Sequence, residues 1–348
     1  MSRERDCQAV PPRSGCGRSG CLPASQTMNP PPFPTDAGAA THAGAPRTAI
    51  FNVKYSPNLG DGIIAECLES ALNRASREIV PLSIDLAGRT GFSAQSGRGR
   101  GLLLSIMERM PLAFRRVLVP AAISALVRHR LQPHWQRELA SCDTAVIGGG
   151  ALLADADQNF PIKISRVLDL CAERQIPVAI SHVGVTRHWS EAGRTRFMAA
   201  LARVRLAWLG VRDHNSVRHF VDEFGTRMGT PELTLDPGLL CRETYGAPEA
   251  PAPAPDAPAP KKLGLCLTHP LVLRLHGEGR VDDQFFRDWL VAVVERACDR
   301  GFEVSLFTNG SPEDEDFADE IAQLIGPRPE VRPMTLTRRI QPYVTQMD

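Results

Sequence analysis

The chain has 348 residues, room for two ordinary domains. Its 40 Lys plus Arg against 39 Asp plus Glu leave no electrostatic footprint of a nucleic-acid partner, and none is expected. It has no apolar run long enough to span a bilayer and no apolar signal core at its N-terminus, and its nine cysteines include no CxxC pair; this predicts reduced thiols in a cytoplasmic protein, with neither a disulfide framework nor a metal site.

Residues 1–46 are rich in Pro, Gly, Ser and Ala, bury too little apolar surface to offset the entropy of ordering, and are expected to be disordered. Order begins with TAIFNVKY (48–55), a strand by its β-branched and aromatic content, then a polar loop SPNLGDG (56–62) and a helix with Ile64, Leu68, Ala71 and Leu72 on one face. Asp61 sits where an N-cap belongs, or else is a polar group at the strand exit; Asn58 has the same two readings. REIVPLSID (77–85) predicts a second strand.

From Arg98 to Arg137 eight arginines interleave with apolar residues against one acid, Glu108. The pattern predicts one or two basic amphipathic helices, broken near Pro111 and Pro120, inserted into the first domain. Such a face is either solvated or rests peripherally on an anionic membrane surface.

The run TAVIGGGALLA (144–154) predicts a buried strand ending in a turn at Gly148, Gly149 and Gly150. Glycine lets the main chain come close to a ligand, and in an open α/β sheet a strand exit is the usual ligand position; a tight strand-to-helix turn without a ligand has the same residues. GGG is not GxGxxG, so no nicotinamide cofactor is implied, and no other cofactor is expected. A helix follows, then the strand PVAISHVGV (177–185), with His182 near its carboxyl end as either a core or a catalytic histidine. A helix over 190–204 and the strand LAWLGV (206–211) come next. Arg212, Asp213 and Ser216 then stand at a strand exit beside a helix N-terminus, where an arginine grips phosphate or carboxylate, or where the three simply pair and cap. LTLDPGLL (233–240) reads as a further short strand with Asp236 in its exit turn.

Strands alternating with helices predict a parallel, doubly wound sheet over 47–244 whose flagged residues share one edge. The alternating Ala/Pro stretch over 245–262 predicts an extended linker. Beyond it, 263–348 shows two strand–helix units, the start of a second Rossmann-like domain.

With these residues in hand the chain resembles the polysaccharide pyruvyl transferase family. The match rests on NLGDGIIAECL (58–68), IGGGALL (147–153), VGV (183–185), GVRDHNSVRHF (210–220) and LDPGLL (235–240). The resemblance implies an α/β fold of two Rossmann-like, GT-B-like domains and transfer of the pyruvyl group of phosphoenolpyruvate to two sugar hydroxyls, giving a ketal and phosphate. It implies a polysaccharide precursor or lipid-linked saccharide as acceptor, at the inner face of the membrane, and no cofactor or metal. Asn58, Gly60 and Asp61 then line the cleft floor, Gly148 to Gly150 form a substrate-contacting turn, and Arg212, Asp213 and Ser216 a polar rim with Arg212 on phosphate or carboxylate. Asp61 and His182 are the candidates for proton transfer, and His269 and Arg274, at the exit of the second domain's first strand, either face the cleft from the other side or, for His269, form part of an exposed loop. The family also carries an Arg-x-His-like motif late in that domain. This chain stops at TQMD (345–348), about where the preceding strand begins, so a fragment with an incomplete second domain is expected. A nucleotide-sugar glycosyltransferase of the same fold and a truncated, non-catalytic membrane- or partner-binding remnant are the competing expectations.

Overall fold

The computed structural model describes residues 45–92, 111–246, 261–270 and 282–333. The N-terminal segment expected to be disordered, most of the linker, Arg274 and the C-terminal end lie outside the described residues.

The first sheet has six parallel strands in the order β2-β1-β3-β4-β5-β6. These are β1 (Arg47–Asn52), β2 (Val80–Asp85), β3 (Thr144–Gly148), β4 (Val178–Val183), β5 (Leu206–Val211) and β6 (Glu232–Leu233). Their β-branched and aliphatic runs are covered by helices, which is what parallel strands require. The chain leaves β1 through α1 (Leu59–Ala75) toward β2, and leaves β3 through α4 (Asn159–Glu173) toward β4 on the opposite side. The order therefore reverses between β1 and β3, and the loops after those two strands flank the switch point at which such sheets bind ligands.

The described part of the basic stretch between β2 and β3 forms a helical rod: α2 (Leu112–Leu126), a π turn (Val127–Leu131) and α3 (Gln132–Leu139). Pro111 stands at the N-cap, and the helix expected to break near Pro120 runs through it. The Ser124 hydroxyl donates to the Pro120 carbonyl at 2.7 Å within the turn that follows. The wide π turn comes just ahead of Pro133, whose ring would strike the His129 carbonyl in a regular α-helix. The rod is fixed by Val127, Leu131, Trp135 and Leu139, all buried in the first core, with Trp135 edge-on to Phe51 of β1.

The helices α5 (Glu191–Leu201) and α6 (His214–Phe224) complete this half. A strand over 233–240 is not formed: β6 has two residues, and Pro237, unable to donate to a ladder, opens a 3-10 turn (Pro237–Leu240) that runs into α7 (Cys241–Tyr245).

The second sheet is also parallel, in the order β7-β8-β9, from β7 (Lys261–Cys266), β8 (Phe302–Phe307) and β9 (Val331–Pro333). Helices α8 (Asp283–Cys298) and α9 (Pro312–Ile325) pack on it around a separate core that includes Leu290, Val294, Phe317 and Ile321. β9 is a third strand where two were expected; three residues are too short for a periodicity to show. Two Rossmann-like parallel sheets are thus present.

Close packing of α1 on the end of β3 makes glycine obligatory there. Gly149 has φ +78, and a Cβ on it would lie 2.7 Å from Cγ2 of Ile64. Gly149→Ala is expected to destabilise the protein by about 2–4 kcal/mol, from left-handed strain and overlap together. Combining it with Ile64→Ala should return only the overlap part, a coupling that denaturant unfolding of the double-mutant cycle measures.

Candidate functional site

The exits of β1 to β6 carry the polar residues that the sequence singled out. At the β1 exit the helix begins earlier than expected. Its N-cap is Asn58, whose side-chain oxygen accepts from the Gly60 amide at 2.9 Å, and Asp61 lies inside the first turn. Capping is therefore done by Asn58, and the Asp61 carboxylate is left to face the strand exits. Burial raises its pKa against the opposing pull of a Ser56 hydrogen bond and of the charges of Arg89 and Arg212. Gly150, with φ +73, comes next to it: a Cβ there would be 3.7 Å from Oδ1 of Asp61.

The glycine turn is tied to the β4 exit by backbone bonds. The Gly149 amide donates to the Ser181 carbonyl at 3.3 Å, and the Gly184 amide to the Gly150 carbonyl at 2.8 Å. Gly148 and Gly149 thus serve the approach of α1 and the pairing with β4, and Gly150 is the glycine that meets Asp61.

His182 sits where the β4–β5 register shifts, with φ +60. That is the left-handed region, unusual for a side-chain-bearing residue and typical of bulges that re-aim a side chain. Its Nδ1 is 2.6 Å from the Ser181 hydroxyl, and burial lowers its pKa while Asp236 opposes the shift. The imidazole is neutral near pH 7 and able to accept a proton.

The guanidinium of Arg212 lies against Gly184, where a Cβ would stand 2.8 Å from Nε. Asp236 takes its Nη1 at 3.2 Å and Asp213 lies 3.4 Å from its Nε. Asp213 is also the N-cap of α6, accepting from the Ser216 amide at 2.7 Å. Burial pushes the Asp213 carboxyl up, and the bonds from Ser216 with the charge of Arg212 outweigh it, leaving the pKa lowered. Ser216 is buried, and its hydroxyl accepts the Val185 amide at 3.0 Å. Ser216 therefore latches the β4 exit to α6, while Arg212 is held rigid with part of its surface open.

In the second half His269 follows β7. Its amide donates to Asp314 of α9 at 2.6 Å and its ring stands edge-on to Phe317. A contact to the first half is made by the β8 exit: the Leu59 amide, first of the orphan donors of α1, donates to the Asn309 carbonyl at 2.8 Å.

Three further residues join the site. Asp85, 1% exposed, accepts from the Tyr55 and Ala87 amides and from Nε of Arg89, which pins the β1 and β2 exits together. Lys163 of α4 is only 8% exposed, and burial, then the Arg89 charge, bring its pKa down to about 8. The sequence does carry a signal for it, the single charge in NFPIKIS (159–165), inside an apolar helical run. Among the described residues no group of His, Cys, Asp and Glu converges to hold a metal ion. A groove of about 880 Å³ between α2, α4 and α5 holds none of these residues.

Parallel α/β sheets with acids, a glycine turn and arginine gathered at the strand exits define a Rossmann-type α/β protein with a polar edge at its switch point. The chain matches the polysaccharide pyruvyl transferase model over residues 58–337 and belongs to that family. No curated protein sequence matches it. Solved structures similar to it include S. aureus MnaA with UDP, at 13% identity and TM-score 0.45, covering 85% of this chain and 70% of that one. A Listeria monocytogenes structure described as a UDP-N-acetylglucosamine 2-epimerase gives 12% identity and TM-score 0.49, over 85% of this chain and 70% of that one. The Neisseria meningitidis UDP-GlcNAc 2-epimerase bound to UDP-GlcNAc gives 11% and 0.46, over 86% and 75%.

Substitutions at two positions separate architecture from chemistry. The folded Lys163 pKa, about 8, lies below the ordinary lysine value of 10.5, so between them the unfolded chain binds the proton more readily and stability climbs with pH. Below that window the whole cost applies, on the order of 3 kcal/mol. Lys163→Met is therefore expected to melt higher than wild type at pH 7 and to lose that advantage near pH 10, as thermal melts will show. His182→Gly should melt no earlier than wild type because it removes the strain, whereas His182→Val should lose about 2–3 kcal/mol.

Proposed function

We propose that this chain transfers the pyruvyl group of phosphoenolpyruvate to two hydroxyls of a saccharide, free or lipid-linked, with release of phosphate. The observation that carries this reading is Asp61, a carboxyl shifted toward its protonated form, facing Arg89 and Arg212 at the switch point of the sheet.

The chemistry asks for an acid and a base within one anion-binding edge. Asp61 delivers its proton to the methylene carbon of phosphoenolpyruvate, which becomes the methyl group, while C2 becomes oxocarbenium-like. A sugar hydroxyl attacks C2 and gives its proton to neutral His182. The C2–O bond to phosphate breaks, and phosphate departs with the electron pair and with the proton that His182 had taken up, which leaves the imidazole neutral again. The second hydroxyl then closes the ketal at C2, its proton returning to Asp61. Arg212, held by Asp213 and Asp236, and Lys163 offer cations to the donor's carboxylate and phosphate, fixed before the substrate arrives.

The test is phosphate release from phosphoenolpyruvate with saccharide diols, with the ketal methyl group followed by proton NMR. Arg212→Ala is expected to weaken phosphoenolpyruvate binding, and Asp61→Asn to leave binding intact; each should lower turnover by about 100-fold or more. Phosphate release without a ketal, or thermal stabilisation by a nucleoside diphosphate and none by phosphoenolpyruvate, would overturn the reading.

A further inference from the structure

We propose that α2 is a docking face for an anionic bilayer. On this helix Phe114, Val117, Leu118, Ala121 and Ala125 recur at i, i+3, i+4, i+7 and i+11, a spacing that ordinarily marks the buried side of a helix. Here that side faces outward: Phe114 is 63% exposed, Val117 67% and Leu118 52%. The opposite side does the packing, with Ile123 against the core and Arg115 gripping Asp157 through Nε at 2.9 Å and Nη2 at 2.6 Å.

The charge around the stripe selects the occupant. From Pro111 to Arg137 there are five arginines and no acid. Arg116, Arg128, His129, Arg130 and Arg137 are all exposed. An apolar stripe flanked by cations of one sign suits the anionic headgroup layer, where apolar insertion and charge act together as the two signals that stable peripheral attachment needs. The helix does not cross the bilayer: no helix among the described residues is long and apolar enough. Through Arg115 and Asp157 it is clamped to the loop that leads from the glycine turn into α4, so a docked surface has a fixed relation to the strand exits. A saccharide carried on a lipid would then be presented to that edge, and this consequence alone rests on the transferase reading.

The experiment is sedimentation of the full chain with vesicles of phosphatidylcholine alone and with phosphatidylglycerol at about one lipid in three. The protein is expected to sediment with the anionic vesicles, to release as salt rises, and to bind at least about tenfold more weakly as the double variant Phe114→Glu, Leu118→Glu. Both positions are exposed, so the variant should keep its melting temperature and its phosphate release with a soluble saccharide. Absence of binding to any vesicle would overturn the proposal. So would self-association abolished by the same variant without vesicle binding, which makes the stripe a contact between copies. Vesicle binding that emerges only after deletion of residues 93–110 would assign the stripe to that segment. Failure of phosphate release in the wild type would strike the transferase reading and leave the vesicle result standing.

Discussion

The site depends on how closely α1 lies against the end of β3. With no room for a side chain at Gly149, the first turn of α1 sits over the glycine turn, and this burial shifts Asp61 toward its neutral form. The same placement directs the Leu59 amide at the β8 exit of the second sheet, where the Asn309 carbonyl accepts it. Moving α1 outward by the width of one methyl group would relax the strain at Gly149. It would also let water reach Asp61 and remove the contact through which the second half meets the first.

A second constraint runs along the strand exits. Main-chain bonds continue past the sheet itself, from Leu153 to Gly184, Gly184 to Gly150, and Arg212 to Val183. They hold the β4 exit so firmly that His182 keeps a left-handed backbone costing on the order of 1–3 kcal/mol. The bulge there re-aims the imidazole, whose Nδ1 lies beside the Ser181 hydroxyl. The Gly184 slot likewise fixes the Arg212 plane before any anion binds, which removes part of the ordering cost of recognition.

The strands and most helices were legible because each is a continuous apolar run or a 3.6-residue pattern bounded by Gly, Pro or a capping residue. The grouping of Asn58, Gly150, His182 and Arg212 on one edge followed from the parallel topology alone. What the sequence hid was decided by tertiary packing. Asn58 took the cap that Asp61 seemed placed for, because the helix starts one residue after it. Pro120 was absorbed by a helix anchored through Trp135 and Leu131. Lys163 passed as one polar residue among apolar ones, since burial of a charge has no periodicity. Ser216 read as a rim residue, yet its hydroxyl was taken by a backbone amide 31 residues away in sequence.

The cations at this edge are largely paired within the first half. The first half brings Arg89, Lys163 and Arg212 to the strand exits, but Asp85 holds Arg89, and Asp213 and Asp236 hold Arg212. At an effective dielectric near 20, a charge pair about 4 Å apart is worth roughly 4 kcal/mol, so carboxylates this close hold each guanidinium in place and offset part of its charge. Lys163 is the cation of the three without a direct acidic grip among the described residues. Asp61, His182 and the firmly held Arg212 thus occupy one edge of the first sheet, fixed by main-chain and side-chain bonds before any ligand arrives.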